Sequence, residues 1–443
     1  MRIPRAVAAA ACVSLLTLAA CSNKADDPRA AEYPGAYLYG TDGNMSNSIA
    51  DFLKEKPGAL NGMKGTLPMT PLDGAFVAKL RAITPGLKDF TYAGETYDAV
   101  VVAALAAQQA GSTDPADIAK YINGVTTDGL ACKTPAQCLS MARKGDDIAY
   151  RGITVRYGFT DAGEPATTMY ATMHFDASNQ VDSGKTEFLG TGNESDVSST
   201  KAPKPVKDGK SSTPLTIGGL LPQHGGLAPA LPPMAAAAKL AITEINAAGG
   251  VLGKPVKWID GDDGTDPKVA RATINSHKAA GVSVLIGPAG SGVAVATLPD
   301  AVRNGLIMFS PSNTSSTLST ADDKGLYFRT APSDILQARA LADVMVRDGG
   351  RRYAIIARND DYGTKLANDT KKELINAGVS ESEIRSFTYQ LTDDGNVKDE
   401  NELVRIAQEI KSAQLDGVLI VGFYEDSAQA IAKLVDASVL IRH

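Results

Sequence analysis

Five short loops carry most of the side chains in this sequence that could grip a small polar molecule: "YGTDG" (39–43), "GPAGSG" (287–292), "SPSNT" (310–314), "RNDDYG" (358–363) and "GFYED" (422–426). Their hydroxyls, carboxylates and small residues suit hydrogen bonding to a ligand. Ser291 stands just ahead of a helix expected from about Gly292, so its hydroxyl and the neighbouring N–H groups form a cradle for a carboxylate at a helix N-terminus. Catalytic signatures are missing. Ser291 lies in "AGSGV" rather than G-x-S-x-G, and there is no HExxH, no Walker loop and no complete dinucleotide fingerprint. No enzyme activity and no cofactor are therefore expected. The acidic run "DGDDGTDP" does not make a calcium loop: the sixth position from Asp260 is Thr265 rather than Gly, and the twelfth is Arg271 rather than Glu. His174, His224, His277 and His443 are scattered singly, so no metal site is expected.

The loops need strands to hold them. From Leu215 the chain alternates short apolar strands with amphipathic helices, the pattern of parallel βαβ units. "LTIGGLLP", "PVKWIDGDD", "VSVLIGPAGSG" and "LIMFSPSNT" are expected strands. Asp266 and Pro267 are an N-cap and first helical residue, with Gly281 as the stop. After "FRTAPSD" a second series runs through "RYAIIARNDDYG", "IRSFTYQL" and "DGVLIVGFYED" to a helix ending near Ser438. A wound sheet that ends on a helix lacks its next strand, and "AYLYGTDGN" (36–44) near the other end of the chain supplies one. Two further strands are expected around the turn in "YRGITVRYGFTDAGEPATTMYATMHFD". Residues 190–214, rich in Ser, Lys and Pro, read as a flexible linker.

With 443 residues the chain exceeds what one core usually holds, so two lobes are expected. A net charge of −6 and no basic stripe argue against a nucleic-acid partner. Arg2 and Arg5 precede an apolar run from Ala6 to Ala20, the pattern of an export signal, and that run is short for a membrane span. In an oxidising compartment Cys132 and Cys138 of "CKTPAQC" are expected to form a small-loop disulfide.

Two resemblances follow. Leu18–Cys21 resembles the bacterial lipobox, which implies a diacylated Cys21 and attachment to the bacterial cell membrane through an N-terminal lipid. "LTIGGLLP", "VLIGPAGSGV", "MFSPSNTSSTL", "YFRTAPSD", "ARNDDYGTKLA" and "IVGFYEDSAQAI", then "LYGTDG", "YAGETYDAVVVAAL" and "GITVRYGFTDAGEPATTMYATMHF", resemble successive motifs of the leucine/isoleucine/valine-binding type (type I) of periplasmic binding protein, the substrate receptors of ABC transporters. The family's usual order places the block from 215 first, so this chain resembles a circularly permuted member; a mis-assembled gene or two incomplete copies is the competing explanation. The resemblance implies an α/β fold of two doubly wound parallel-sheet lobes joined by a hinge. Lobe one is expected from 215–332 and 68–150, and lobe two from 336–443, 33–66 and 151–190. The signal with its lipobox (1–21), an N-terminal linker (22–32) and a flexible linker (191–214) complete the chain.

By the same resemblance Ser291 belongs to the carboxylate site, Thr314 with the backbone of Ser312 holds both ends of an α-amino acid, and Asp42 pairs with its ammonium. Tyr362 and Tyr424 close over it from lobe two. The implied ligand is an amino acid or related small polar solute, and the implied partners are ABC permease subunits in the membrane. A sensor feeding a signalling partner is the alternative. The first loop, "PQHGGLAPALPP", lacks the aromatic residue that relatives often carry, which leaves His224 or Leu227 to line the side-chain pocket.

Overall fold

The computed structural model describes residues 33–392 and 395–442; residues 1–32, with the expected export signal and Cys21, lie outside the described residues. In chain order the elements are β1 (Tyr37–Gly40), β2 (Lys64–Pro68), α1 (Gly74–Ile83), α2 (Ala93–Ala110), α3 (Pro115–Ile122), β3 (Leu130–Cys132), α4 (Pro135–Arg143), β4 (Ile148–Tyr150), β5 (Thr167–His174) and β6 (Glu187–Gly192). Then follow β7 (Thr216–Gly219), α5 (Leu231–Ala247), β8 (Lys257–Ile259), α6 (Pro267–Ala279), β9 (Val284–Ile286), α7 (Ser291–Arg303), β10 (Ile307–Ser310) and β11 (Tyr327–Arg329). The last are α8 (Asp334–Arg347), β12 (Tyr353–Arg358), α9 (Asp361–Asn376), β13 (Ile384–Tyr389), α10 (Glu400–Ala413), β14 (Gly417–Val421) and α11 (Tyr424–Asp436).

Two sheets organise these elements. One has five strands in the order β11-β10-β9-β7-β8, every pair parallel. Its strands are apolar runs of three or four residues, and β9 and β10 are buried throughout, as expected of a sheet covered on both faces. α2 is buried along almost its whole length and packs on α5, because its middle, residues 99–107, is Ala, Val and Leu on every side. It stops at Gly111 (left-handed, φ +63°), whose backbone N–H donates to the carbonyls of Ala107 and Gln108. As the sequence implies, Asp266 caps α6 by accepting from the Lys268 N–H, with Pro267 as first helical residue.

The second sheet has seven strands in the order β13-β12-β14-β1-β2-β5-β6. β1 lies parallel to β14, with Tyr37 opposite Gly417 and Tyr39 opposite Leu419, and Ala36 bridges to Ile441 just beyond α11. A strand from near the start of the chain thus takes the next place after the C-terminal helix. β5 and β6 join β2 antiparallel at the sheet's edge, beside five parallel strands.

The segment before the "TDAGEP" turn is not the strand its alternation suggests. The Asp98 carboxylate, on buried α2, accepts the N–H groups of Ile153, Thr154 and Val155, which are then lost to any ladder. The residues expected as a flexible linker run over the five-stranded lobe and are tied to it at Val206 N to Gln109 O (2.8 Å), Asp208 N to Arg143 O (3.0 Å) and Tyr121 Oη to Lys204 O (3.1 Å). Cys132 and Cys138 are joined as a disulfide.

Candidate functional site

The loops that follow β9 and β10 meet those that follow β1, β12 and β14, the carboxyl-end placement at which open parallel sheets bind ligands. Between them is a small cavity of about 20 Å³. Asp42, Ser291, Ser312, Tyr362 and Tyr424 all line it, although they come from both halves of the sequence. Thr314 does not. It is fully buried behind the cavity and its Oγ1 has no hydrogen-bond partner. Of the two residues expected near the side-chain pocket, Leu227 lines the cavity, whereas the His224 side chain is 82% exposed and hydrogen-bonds Asp262 at 2.8 Å.

Three donors converge on Asp42. Its Oδ2 accepts from Tyr92 Oη at 2.7 Å, and its Oδ1 from Tyr362 Oη at 2.7 Å and Gln337 Nε2 at 3.0 Å. Burial raises the carboxyl's pKa above its ordinary value, and these hydrogen bonds offset only part of that rise. Tyr92 precedes α2 with a left-handed backbone (φ +57°), uncommon for a bulky residue, which aims its ring into the cleft. Tyr92 is the first residue of the motif "YAGETYDAVVVAAL", but the sequence reading gave it no role in the site.

Ser291 opens α7, and its hydroxyl oxygen accepts the N–H groups of Thr314 and Ser315, both at 3.2 Å. Ser312 Oγ donates to Ala289 O at 3.1 Å, and Asn313 Nδ2 to Pro288 O and Ala289 O at 3.0 and 2.9 Å. These bonds zip the loop after β9 to the loop after β10. Asp263 adds a brace, accepting from Ala289 N and Thr265 N at 2.7 Å each, and burial pushes its pKa up to about 7. The acidic run that invites a calcium reading is thus used for bracing and capping. Among the described residues no group of His, Cys, Asp and Glu is arranged to hold a metal ion.

Two buried arginines hold the walls. Arg329, with no exposed surface, donates to Asn313 O (3.2 Å), Ser315 O (2.9 Å) and Ser319 Oγ (2.7 Å) and pairs with Glu164 from the "TDAGEP" turn. Arg358 pairs with Asp360 at 2.7 Å and Asp426 at 2.8 Å, and its guanidinium carbon lies 3.6 Å from the centroid of the Phe423 ring. Phe423 in turn stacks on Tyr362 at 5.4 Å. Phe423, Leu227, Ala230 and Met234 give the cavity an apolar wall opposite its polar groups.

The rim is latched. Asp89, between α1 and α2, accepts from Ser46 Oγ (3.1 Å), Asn47 N (3.3 Å), Asn47 Nδ2 (3.1 Å) and Ser48 Oγ (3.4 Å) beyond β1. On another side Ser316 Oγ reaches Asp369 at 2.8 Å and Thr317 Oγ1 reaches Asp361 at 2.9 Å.

Residues 214–439 match the profile of a family described as "Periplasmic binding protein". Leu/Ile/Val-binding protein homolog 2 of Brucella abortus is 30% identical over 200 residues, which are 44% of this chain and 50% of that protein. Leu/Ile/Val-binding protein BraC3 of Rhizobium johnstonii is 28% identical over 225 residues, 50% of this chain and 58% of its own length. The chain therefore spans about half the length of the relatives it matches. Among solved structures, a branched-chain amino acid transporter substrate binding protein of Streptococcus pneumoniae in complex with isoleucine is similar at a TM-score of 0.44 and 23% identity, over 51% of this chain and 62% of that one.

Proposed function

The chain belongs to the periplasmic binding protein family, and we propose that it is an extracytoplasmic receptor that closes on an amino acid and delivers it to an ABC permease. The observation that carries this reading is the meeting of Asp42 with Ser291 in one cavity that also has an apolar wall. The first N–H groups of α7, with Ser291, receive the ligand's carboxylate. Asp42 receives its ammonium, and the side chain lies against Leu227, Met234 and Phe423. Ser312 and Thr314 shape the carboxylate end from the adjoining loop, and Tyr362 and Tyr424 cover the ligand. Charge-assisted hydrogen bonds contribute about 1.5–3 kcal/mol each. A few of them suffice for micromolar affinity, about 8 kcal/mol.

A cavity of about 20 Å³ holds roughly one water. An amino acid enters only when the lobes part, and closure of two domains around the ligand then buries it. The lobes are the divisions expected from the sequence: 215–332 with 68–150, and 336–443 with 33–66 and 151–190. The chain order is a circular permutation of the family's, a reading supported by the place of β1 beside β14. Cys21 carries the lipid that holds the receptor at the membrane. Among the described residues no helix is long and apolar enough to cross a membrane.

A thermal-shift screen of the full chain against amino acids, amides and small organic acids tests this reading. Ligand at 100 times its Kd adds about 2.7 kcal/mol of stability if it binds only the folded state. A clear upward shift with an amino acid supports the proposal; melting unmoved by any amino acid contradicts it.

A further inference from the structure

β6 is the outermost strand of the seven-stranded sheet. Its residues from Glu187 to Gly190 are all exposed, including two large apolar side chains, Phe188 at 40% and Leu189 at 54%. The ladder it makes with β5 leaves one edge open. β6 runs antiparallel to β5 with Leu189 opposite Tyr170, Asn193 N donates to Ala166 O, and Met69 N from the β2 side donates to Met169 O, both at 3.0 Å. Backbone groups alternate along an antiparallel strand, so the N–H and C=O of Leu189 and Thr191 turn toward β5 and those of Phe188 and Gly190 turn outward. Among the described residues the outward groups have no partner. Sheet edges are ordinarily blunted by Lys, Pro, a bulge or a covering element. From Phe188 to Thr191 this strand carries neither Lys nor Pro, and its exposure shows that nothing covers it. Glu187, its one charge, lies 3.8 Å from Arg347 of its own chain.

We propose that this edge is the interface of a homodimer, in which β6 of a second copy adds antiparallel to β6 about a two-fold axis at Leu189. The strand is complementary to itself in that register. Phe188 and the partner's Gly190 exchange both outward backbone bonds, and the two-fold repeats the exchange on the other side of the axis. Leu189 meets its own copy at a non-hydrogen-bonded position, where opposed side chains come closest. Gly190 leaves room for the ring opposite it: a Cβ built there meets nothing within 4 Å, and the residue borders an open groove of about 570 Å³ that also runs past Tyr157. Glu187 falls opposite the partner's Thr191, so no like charges face each other. Each copy uses up the other's edge, and the assembly stops at two. The chain does not supply the missing strand from its own leader, since residues 22–32, "SNKADDPRAAE", contain no β-branched or aromatic residue. The pairing does not depend on which solute the cleft takes.

Sedimentation equilibrium of the full chain, taken up to about 100 µM, tests this, because an association weaker than that is too weak for a specific dimer. Wild type is expected to show a reversible monomer–dimer equilibrium. Leu189→Lys places two ammonium groups on the axis, and Gly190→Pro removes an outward N–H while leaving the β5 ladder whole. Both variants are expected to stay monomeric. The register is tested by cross-linking in a chain that also carries Cys12→Ser and Cys21→Ser. Leu189→Cys is expected to form an interchain disulfide on mild oxidation, because opposed Cβ atoms at such a position lie about 4.5–5.5 Å apart. Thr191→Cys, displaced from the axis, is too far from its copy to bridge. Should either edge variant fail to fold, the cross-link at exposed Leu189 still decides. A wild-type chain that remains monomeric at about 100 µM overturns the proposal. So does a dimer that survives both edge variants, or one that Thr191→Cys cross-links as readily as Leu189→Cys.

Discussion

The Tyr92 hydroxyl, at the mouth of α2, donates at 2.7 Å to the carboxylate of Asp42, which follows β1 in the other sheet. Tyr362 holds the same carboxylate at 2.7 Å from its own side of the cleft. The acidic group proposed to take the ligand's ammonium is therefore also a bolt between elements of the two sheets. Tyr92→Phe removes one bolt and leaves the ring in place. Small-angle scattering of the ligand-free variant is expected to show a more open particle than wild type, and ligand affinity is expected to fall by about ten- to a hundredfold, the worth of one hydrogen bond to a charged group. A closed particle with unchanged affinity would show that Tyr92 only fills space.

Asp89 collects four donors from three consecutive residues across the rim. These contacts are part-buried hydrogen bonds to a carboxylate, so Asp89→Ala is expected to cost about 1.5–3 kcal/mol of stability. Its larger effect is expected on the rate at which the cleft opens. Stopped-flow dissociation of a bound amino acid faster than wild type, at a similar association rate, is the expected result.

Arg329 and Glu164 form a buried pair that also ties the carbonyls of Asn313 and Ser315. Removing one member leaves the other charged and unpaired, which costs about 3–5 kcal/mol. Arg329→Met and Glu164→Gln are each expected to lower the melting temperature substantially, and the double variant by less than the sum. Additive losses in the double-mutant cycle would mean that the two residues act independently.

Glu95, 5% exposed in the first turn of α2, is pushed up to about 8 by burial. Its folded pKa lies above its unfolded one, so its contribution is most favourable at low pH and is lost as pH rises from about 4.5 toward 8. Glu95→Gln is expected to raise the melting temperature at pH 8.5 and to leave it near wild type at pH 5. A variant that melts lower at both values contradicts the assignment.

Much of the fold is legible in the sequence because its signals are local. Val284–Ile286 and Gly417–Val421 are apolar runs ended by Gly-rich loops, and Asp266 with Pro267 marks a helix start by its own chemistry. What was not legible depends on partners far away in the chain. Residues 151–158 alternate like a strand, yet the N–H groups of Ile153, Thr154 and Val155 among them belong to Asp98, more than fifty positions earlier. β11 is three residues long and is a strand only because β10 lies beside it. Tyr92 and Gln337 gather around Asp42 from separate elements, so no spacing rule joins them. Thr314 has the residue type of a ligand contact but is buried behind Ser291, and His224 is drawn outward by Asp262.

The central claim, an amino acid held between Asp42 and the start of α7, is tested most directly by calorimetric titration of L-leucine and the other amino acids into the wild-type chain and into Asp42→Ala. Saturable binding of at least one amino acid in wild type, weakened by about tenfold or more in Asp42→Ala, is the predicted result. Equal binding by the two proteins, or none to wild type, would contradict it.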